Sequence, residues 1–275
     1  MADRGAGVAW LLSWPRVTAA AIRSRTSRPS LLLVRFATAG LMNLIEAVGI
    51  ALLVNSFGSL AGWTAPEVMV LFGLALAGEG LARTVAYRLD VKEFSTLVRD
   101  GTFDQILTRP APPLAWLLAS SIEPRYLGRT ATGAAMLAWA GGRAGIAWGP
   151  AEVGVAALAT ACCAAVMTAG FVVGAAVTLR TVEGTEVINA ITYGGIYLAS
   201  FPMEVHGAAV RAVFTWVLPF GLTVYVPALV LLGKPGAAGL GPALLAATPV
   251  AAAAVCAAAW LAWRAGVRTY LGTGS

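Results

Sequence analysis

Glu46 and Glu79 stand out in this sequence as reactive side chains in surroundings that would make them act. Each lies deep inside a long apolar segment, where an ionised carboxylate is costly unless something compensates it, so each is a candidate for a transport path or a proton relay. Asn43 lies one helical turn before Glu46 and offers it a polar neighbour. The plainer alternative stays open: both carboxylates could hydrogen-bond inside a helix bundle, or lie nearer an interface than their positions suggest.

Other signatures of chemistry are missing. There is no G-x-x-x-x-G-K-[ST] phosphate loop, and the one Gly-Lys pair, Gly233-Lys234, runs into Pro235. No H-E-x-x-H, no G-x-S-x-G and no closely spaced pair of intramembrane carboxylates occurs. Cys162, Cys163 and Cys256 all sit in apolar segments, and no pair of them has ligand spacing with the single His206. The expectation is no catalytic residue, no metal, no disulfide and no ATP hydrolysis by this chain itself.

The elements that would position the two glutamates follow from composition. Of 275 residues, 59% are hydrophobic and 12% charged, far from the roughly even apolar share and quarter charged share of soluble domains. The apolar residues come in blocks, several longer than the ~20 residues a helix needs to cross a bilayer. The fold class is therefore all-α, a polytopic membrane protein of about six transmembrane helices. The net charge of +6 does not indicate nucleic acid, because the basic residues gather at the ends of apolar blocks instead of forming a face.

Spans are expected at about 34–57, 66–86, 126–140, 152–179, 187–201 and 242–263, within one membrane domain over 1–275. Before the first, Trp10, Trp14, Val17 and Ala21 share a helical face, which suits an N-terminal helix lying in the interface. Its short apolar stretch, broken by Pro15 and followed by arginines, does not read as a cleaved leader. Thr64-Ala65-Pro66-Glu67 reads as a capping box opening the second span. Residues 208–233 are apolar but contain Pro219 and Pro227, and are read as a re-entrant helical hairpin before the last span. With six crossings, all Lys and Arg except Arg143, Arg211 and Lys234 fall on one side, which makes both termini cytoplasmic. Gly170-x-x-x-Gly174 in the fourth span would admit a close helix neighbour.

The longest polar stretch, within 88–114, carries helical periodicity in Phe94, Leu97 and Val98 and again in Phe103, Ile106 and Leu107. Phe94, Phe103 and Ile106 are expected to be exposed among Arg99, Asp100, Asp104 and Arg109, a mixture suited to a protein contact. In this stretch Arg99-Asp100-Gly101, Phe103-Asp104, Ile106-Leu107, Arg109-Pro110 and Pro113-Leu114 resemble the cytoplasmic loop of ABC-2-type transporter permeases. The resemblance is to the bacterial branch of small six-span ABC exporter membrane subunits. Val217-Leu218-Pro219-Phe220, Tyr225-Val226-Pro227-Ala228 and Leu232-Gly233 resemble the segment before the last span in that branch.

The resemblance implies an export permease in the bacterial cytoplasmic (inner) membrane. It implies a second permease chain, identical or paralogous, making a dimer, and a separate ABC ATP-binding subunit that carries ATP and Mg, so that no cofactor belongs to this chain. It further implies a coupling helix contacting the ATPase through Phe94, Leu97, Arg99, Phe103, Asp104 and Arg109, with a smaller contact at the turn 180–186. Substrate would pass between the permeases along spans one, two and five, with Asn43, Glu46 and Glu79 as candidates to line its path. Two rivals remain at this point: a proton- or ion-coupled secondary transporter acting through Glu46 and Glu79, and a structural subunit holding other membrane proteins together.

Overall fold

The computed structural model describes residues 3–26, 29–181, 185–236 and 240–270. Among the described residues the regular structure is helical, with one isolated bridge, Leu60 to Trp63, in the turn between the second and third helices. Helix α1 (Asp3–Thr26) leads in and is tied at its end by Arg25, which donates to the Ile122 carbonyl and pairs with Glu123 at 3.5 Å. Helix α2 (Pro29–Ser56) follows, and it leaves Leu41, Ile45 and Leu52 exposed.

The centre of the molecule is α3 (Ala65–Ala86), in which every residue from Val68 to Gly80 is buried. Its start forms the expected box: the Thr64 N–H donates to the Glu67 carboxylate at 2.7 Å, satisfying a backbone donor that the first turn leaves without a partner. A turn at Tyr87–Leu89 leads to α4 (Val91–Arg99), α5 (Thr102–Leu107) and α6 (Pro113–Ser120). Gly101, at φ 68°, makes the elbow between α4 and α5, a left-handed conformation that a side chain disfavours.

Helices α7 (Leu127–Arg143) and α8 (Pro150–Thr178) return through the bundle against α3. The α3–α7 contact is made backbone to backbone: a Cβ on Gly133 would sit 2.4 Å from the Ala77 nitrogen, and one on Gly73 2.8 Å from the Leu137 nitrogen. Small residues allow such approach where no hydrophobic gain between helices is available in lipid. Gly170 and Gly174 do meet neighbours, but within this chain: their added Cβ atoms would lie 2.9 Å from the Thr192 side chain and 2.7 Å from that of Val91.

Helix α9 (Thr185–Ala199) runs beside α3 and α8. Next comes α10 (Ala208–Ala212), prolonged by a π-helical turn to Val217 and then broken at Leu218-Pro219. A second arm, Gly221–Leu232, ends in α11 (Val226–Leu232); it lies at 80° to the first and is almost wholly buried. Helix α12 (Ala247–Thr269) closes the chain along α8, with Gly266 against Ala176.

Among the described residues four helices are long and apolar enough to cross a membrane, Leu33–Ser56, Ala65–Arg99, Pro150–Thr178 and Pro242–Thr269, or five if the bent pair counts as one span. The sequence reading asked for six. Helix α7 has 17 residues, about 25 Å of rise against a ~30 Å hydrocarbon core, and the apolar part of α9, Val187–Ala199, is shorter still.

The ends of the bundle are held differently. At the end opposite the Arg-rich one, Glu204 accepts from Tyr225 at 2.6 Å and Trp63 at 3.3 Å, while Lys234 lies over Trp63 and reaches Glu67 at 2.9 Å. This latch joins the turn before α3, the loop after α9 and the second arm of the bent pair.

Candidate functional site

Three helices bring their polar residues to one place within the bundle. On α7, Arg129 donates to Glu79 of α3 at 2.7 Å and to Asn43 of α2 at 2.9 Å. On α3, Arg83 lies one turn beyond Glu79 and pairs with it at 3.1 Å. Glu79 and Asn43 are both buried, at 7% and 2% exposure, so the guanidinium groups meet a desolvated carboxylate. In such surroundings a paired charge is tolerated and an orphaned one is not. The Arg83 guanidinium also stacks on Tyr193 of α9, 4.7 Å from the ring centroid, and the Tyr193 hydroxyl donates to Asp90, the N-cap of α4.

Beside this network a cavity of about 170 Å³ opens between α2 and α9 over the surface of α3. Glu46, Glu79 and Arg129 reach it, together with Phe72, Tyr193 and Tyr197. Tyr193 also lines a more polar cavity of about 440 Å³ toward the α4 end, shared with Arg83, Asp90 and Glu93. Charged and aromatic side chains therefore run from the middle of α2 to the start of α4 without leaving the protein.

The structure thus joins Asn43 to Glu79, but through Arg129 and not through Glu46, the partner suggested by spacing in the sequence. Glu46 faces the same cavity separately. Arg129 was missed because an arginine near the end of a span reads as a topology signal. Its position three residues into a helix rich in Gly and Ala is the clue that it points into the bundle.

The segment from Val91 to Arg109 needs a correction. Phe94, Phe103 and Ile106 are buried, not exposed, at 0%, 0% and 3%. The reason is α12: Trp263 and Tyr270 come down beside the elbow, with ring centroids 5.8 Å from Phe94 to Trp263 and 5.4 Å from Phe103 to Tyr270. Phe94 and Phe103 meet edge to face at 5.2 Å, a favoured arrangement for aromatic rings. Tyr270, just past α12, has its phenol pushed up to about 12 by burial and by the neighbouring Asp104 carboxylate.

The outward edge of the elbow is polar. Lys92, Thr96, Arg99, Asp100, Gln105 and Arg109 are exposed, while Leu97 and Asp104 are half-buried. Arg109 is steadied by Trp116, 4.2 Å from the ring centroid. Part of the second expected contact, 180–186, lies outside the described residues, as does the side chain of Trp10 on the first helix.

Set against known proteins, residues 41–274 match a family model described as ABC-2 family transporter protein. No curated protein and no solved structure matches the chain. The matched stretch runs from near the middle of α2 past the end of α12, and so takes in the polar network, the cavity beside it and the elbow. The chain belongs to the ABC-2 family of transporter proteins.

Proposed function

We propose that this chain is the permease subunit of an ATP-driven exporter, working as a pair of permeases with a separate ABC ATP-binding subunit that supplies ATP and Mg. The observation that carries this reading is the elbow of α4 and α5. Its apolar side is locked onto α12 by Phe94, Phe103, Trp263 and Tyr270, and its outer edge offers Arg99, Asp100, Gln105 and Arg109. A segment built this way can take a push at its charged edge and pass it into the bundle. Arg99 and Arg109 then touch the ATPase, with Leu97 and Asp104 at the margin, while Phe94 and Phe103 act as braces behind the contact.

In this reading α2, α3, α7, α8, α9 and α12 make six crossings, α7 and α9 being the short ones, and the bent pair caps the outer side. The Arg-rich end, with Arg83, Arg88, Arg99, Arg125, Arg264 and Arg268, faces the cytoplasm, with both termini and an interfacial α1 on that side of a bacterial cytoplasmic membrane. The cavity between α2 and α9 faces its counterpart on the second permease, identical or paralogous, and the path for substrate runs between them past Glu46, Asn43 and Glu79. ATP-driven closure of the ATPase subunits moves the elbows and switches the pair between inward-open and closed or outward-open states.

The test is affinity purification of the chain from gently solubilised native membranes, with partners identified by mass spectrometry and ATPase activity assayed. A stoichiometric partner carrying a phosphate-binding loop is expected, and it is lost in the Arg99→Glu, Arg109→Glu double variant while the melting temperature of the permease stays unchanged. Recovery of the chain alone, without ATPase activity, would overturn the reading in favour of a transporter driven by ions.

A further inference from the structure

We infer that the end of α1 and the turn after α3 together hold the phosphate of an anionic phospholipid from the cytoplasmic leaflet. The inference needs only a chain that crosses a bilayer with its Arg-rich end in the cytoplasm, and it stands whether or not an ATPase is attached. Its basis is Arg88, in the turn Tyr87–Leu89. The Arg88 side chain is half-buried and makes no hydrogen bond or ion pair among the described residues, although its backbone N–H is held by the Ser121 hydroxyl at 3.3 Å. Burial and the neighbouring Arg25 both work against its charge, and Glu93 supports it. A guanidinium left half-desolvated beside a second one carries a cost that an arriving anion removes.

The nearby carboxylates do not supply that anion. Glu123 is shared between Arg25 at 3.5 Å and Arg125 at 3.8 Å, and Glu93 accepts from the Tyr87 hydroxyl at 2.5 Å. Arg25, Arg88 and Arg125 therefore stand against Glu123 and Glu93, with one positive charge over. A wider count keeps the surplus, since Lys92 is offset by Asp90 and Arg83 by Glu79. The faces of Arg125 are taken by Tyr87 and Tyr126, 4.7 and 4.9 Å to the ring centroids, which leaves Arg88 and Arg25 for a ligand. Both are tied to the short segment 121–123, Arg88 through Ser121 and Arg25 through the Ile122 carbonyl. The surroundings favour a lipid over a soluble phosphate. Helix α1 packs on α6 and on the turn Pro124–Tyr126, and that turn also meets α2. Leu33 and Val34 of α2 are exposed, as is Leu127 at the head of α7. A phosphodiester with acyl chains satisfies both the guanidiniums and this apolar surface, as anionic headgroups do in basic pockets at the cytoplasmic ends of membrane helices.

The test is native mass spectrometry of the full chain, purified with whatever partners accompany it, delipidated in detergent and titrated with phosphatidylglycerol or phosphatidylcholine of the same acyl chains. Phosphatidylglycerol should bind about tenfold more tightly than phosphatidylcholine, and Arg88→Gln should remove about that factor, as expected for the loss of one charge-assisted hydrogen bond. The melting temperature of Arg88→Gln should not fall, because the side chain holds nothing in the chain itself. Arg268→Gln, at an exposed arginine of the same end, should keep an affinity within threefold of the parent. Equal affinities for the two lipids in the unaltered protein would overturn the inference without any variant. So would an Arg88→Gln affinity for phosphatidylglycerol within threefold of the parent, or a loss as large in Arg268→Gln, which would make the attraction one of diffuse surface charge. Inorganic phosphate at the same concentration should not displace the lipid; displacement would assign the guanidiniums to a soluble phosphate and overturn the lipid.

Discussion

Helices α3 and α2 both face the cavity, and they are held in opposite ways. Helix α3 is locked to α7 through glycine contacts that leave no space for a methyl group, and its Glu79 and Thr84 are buried. Helix α2 shows Leu41, Ile45 and Leu52 to its surroundings, and Asn43 fastens it to the α3–α7 pair through Arg129. In the proposed transport cycle α3 and α7 would serve as a frame and α2 as a movable wall. Transport needs both, since a site that opens between two states must have one side that stays fixed while the other shifts.

Ways to break this contrast can be ranked by size. Gly133→Leu should do the most damage, because its side chain would have to occupy the space of the Ala77 backbone. Overpacking costs about 1–3 kcal/mol where neighbours can yield and more where backbone blocks it. No monodisperse protein should survive detergent size-exclusion chromatography, whereas Gly154→Leu, at a glycine of α8 with open space around it, should behave as the parent does.

Glu79→Gln comes next. It leaves Arg129 and Arg83 without their carboxylate, and breaking a buried pair costs on the order of 3 kcal/mol. The melting temperature should fall, and Arg129→Gln added to it should recover part of the loss, a coupling read from a double-mutant cycle. Equal, additive losses would mean that α3 and α7 are not coupled through this pair.

Trp263→Ala should act more locally, removing the ring on which Phe94 and Phe103 rest, at a cost of about 3 kcal/mol to the elbow. Limited proteolysis should then cut between Gly101 and Thr108 at enzyme concentrations that leave the parent intact. Arg99→Glu should have the smallest effect on stability, within about 0.5 kcal/mol because the side chain is exposed. Its consequence should appear only as weakened recovery of the ATPase.

The sequence made some of this arrangement visible and hid the rest for identifiable reasons. The capping box at Thr64 depends on residues three apart, and spacing alone reveals it. Glu46 and Glu79 were conspicuous because an ionisable group inside an apolar run is costly. The counter-charge of Glu79 was not, since Arg129 lies 50 positions away and its role depends on which way α7 faces. The elbow shows the same division. The period of Phe94, Leu97 and Val98 announced an apolar face, but what covers that face arrives on α12, more than 150 residues later, so the face was taken to be open. The prolines at 219 and 227 marked the bent pair, whose arms meet at 80° across the break at Leu218-Pro219.

The latch at the far end has a mechanical consequence. Lys234, Trp63, Glu67, Glu204 and Tyr225 pin three connections together at the end opposite the Arg-rich one, while Asn43 ties α2 to the bundle near its middle. A body clamped at one end and loose at the other pivots about the clamp. In the proposed transport cycle the latch would serve as a fulcrum, turning a small displacement at the elbow into a swing that is widest where α2 begins.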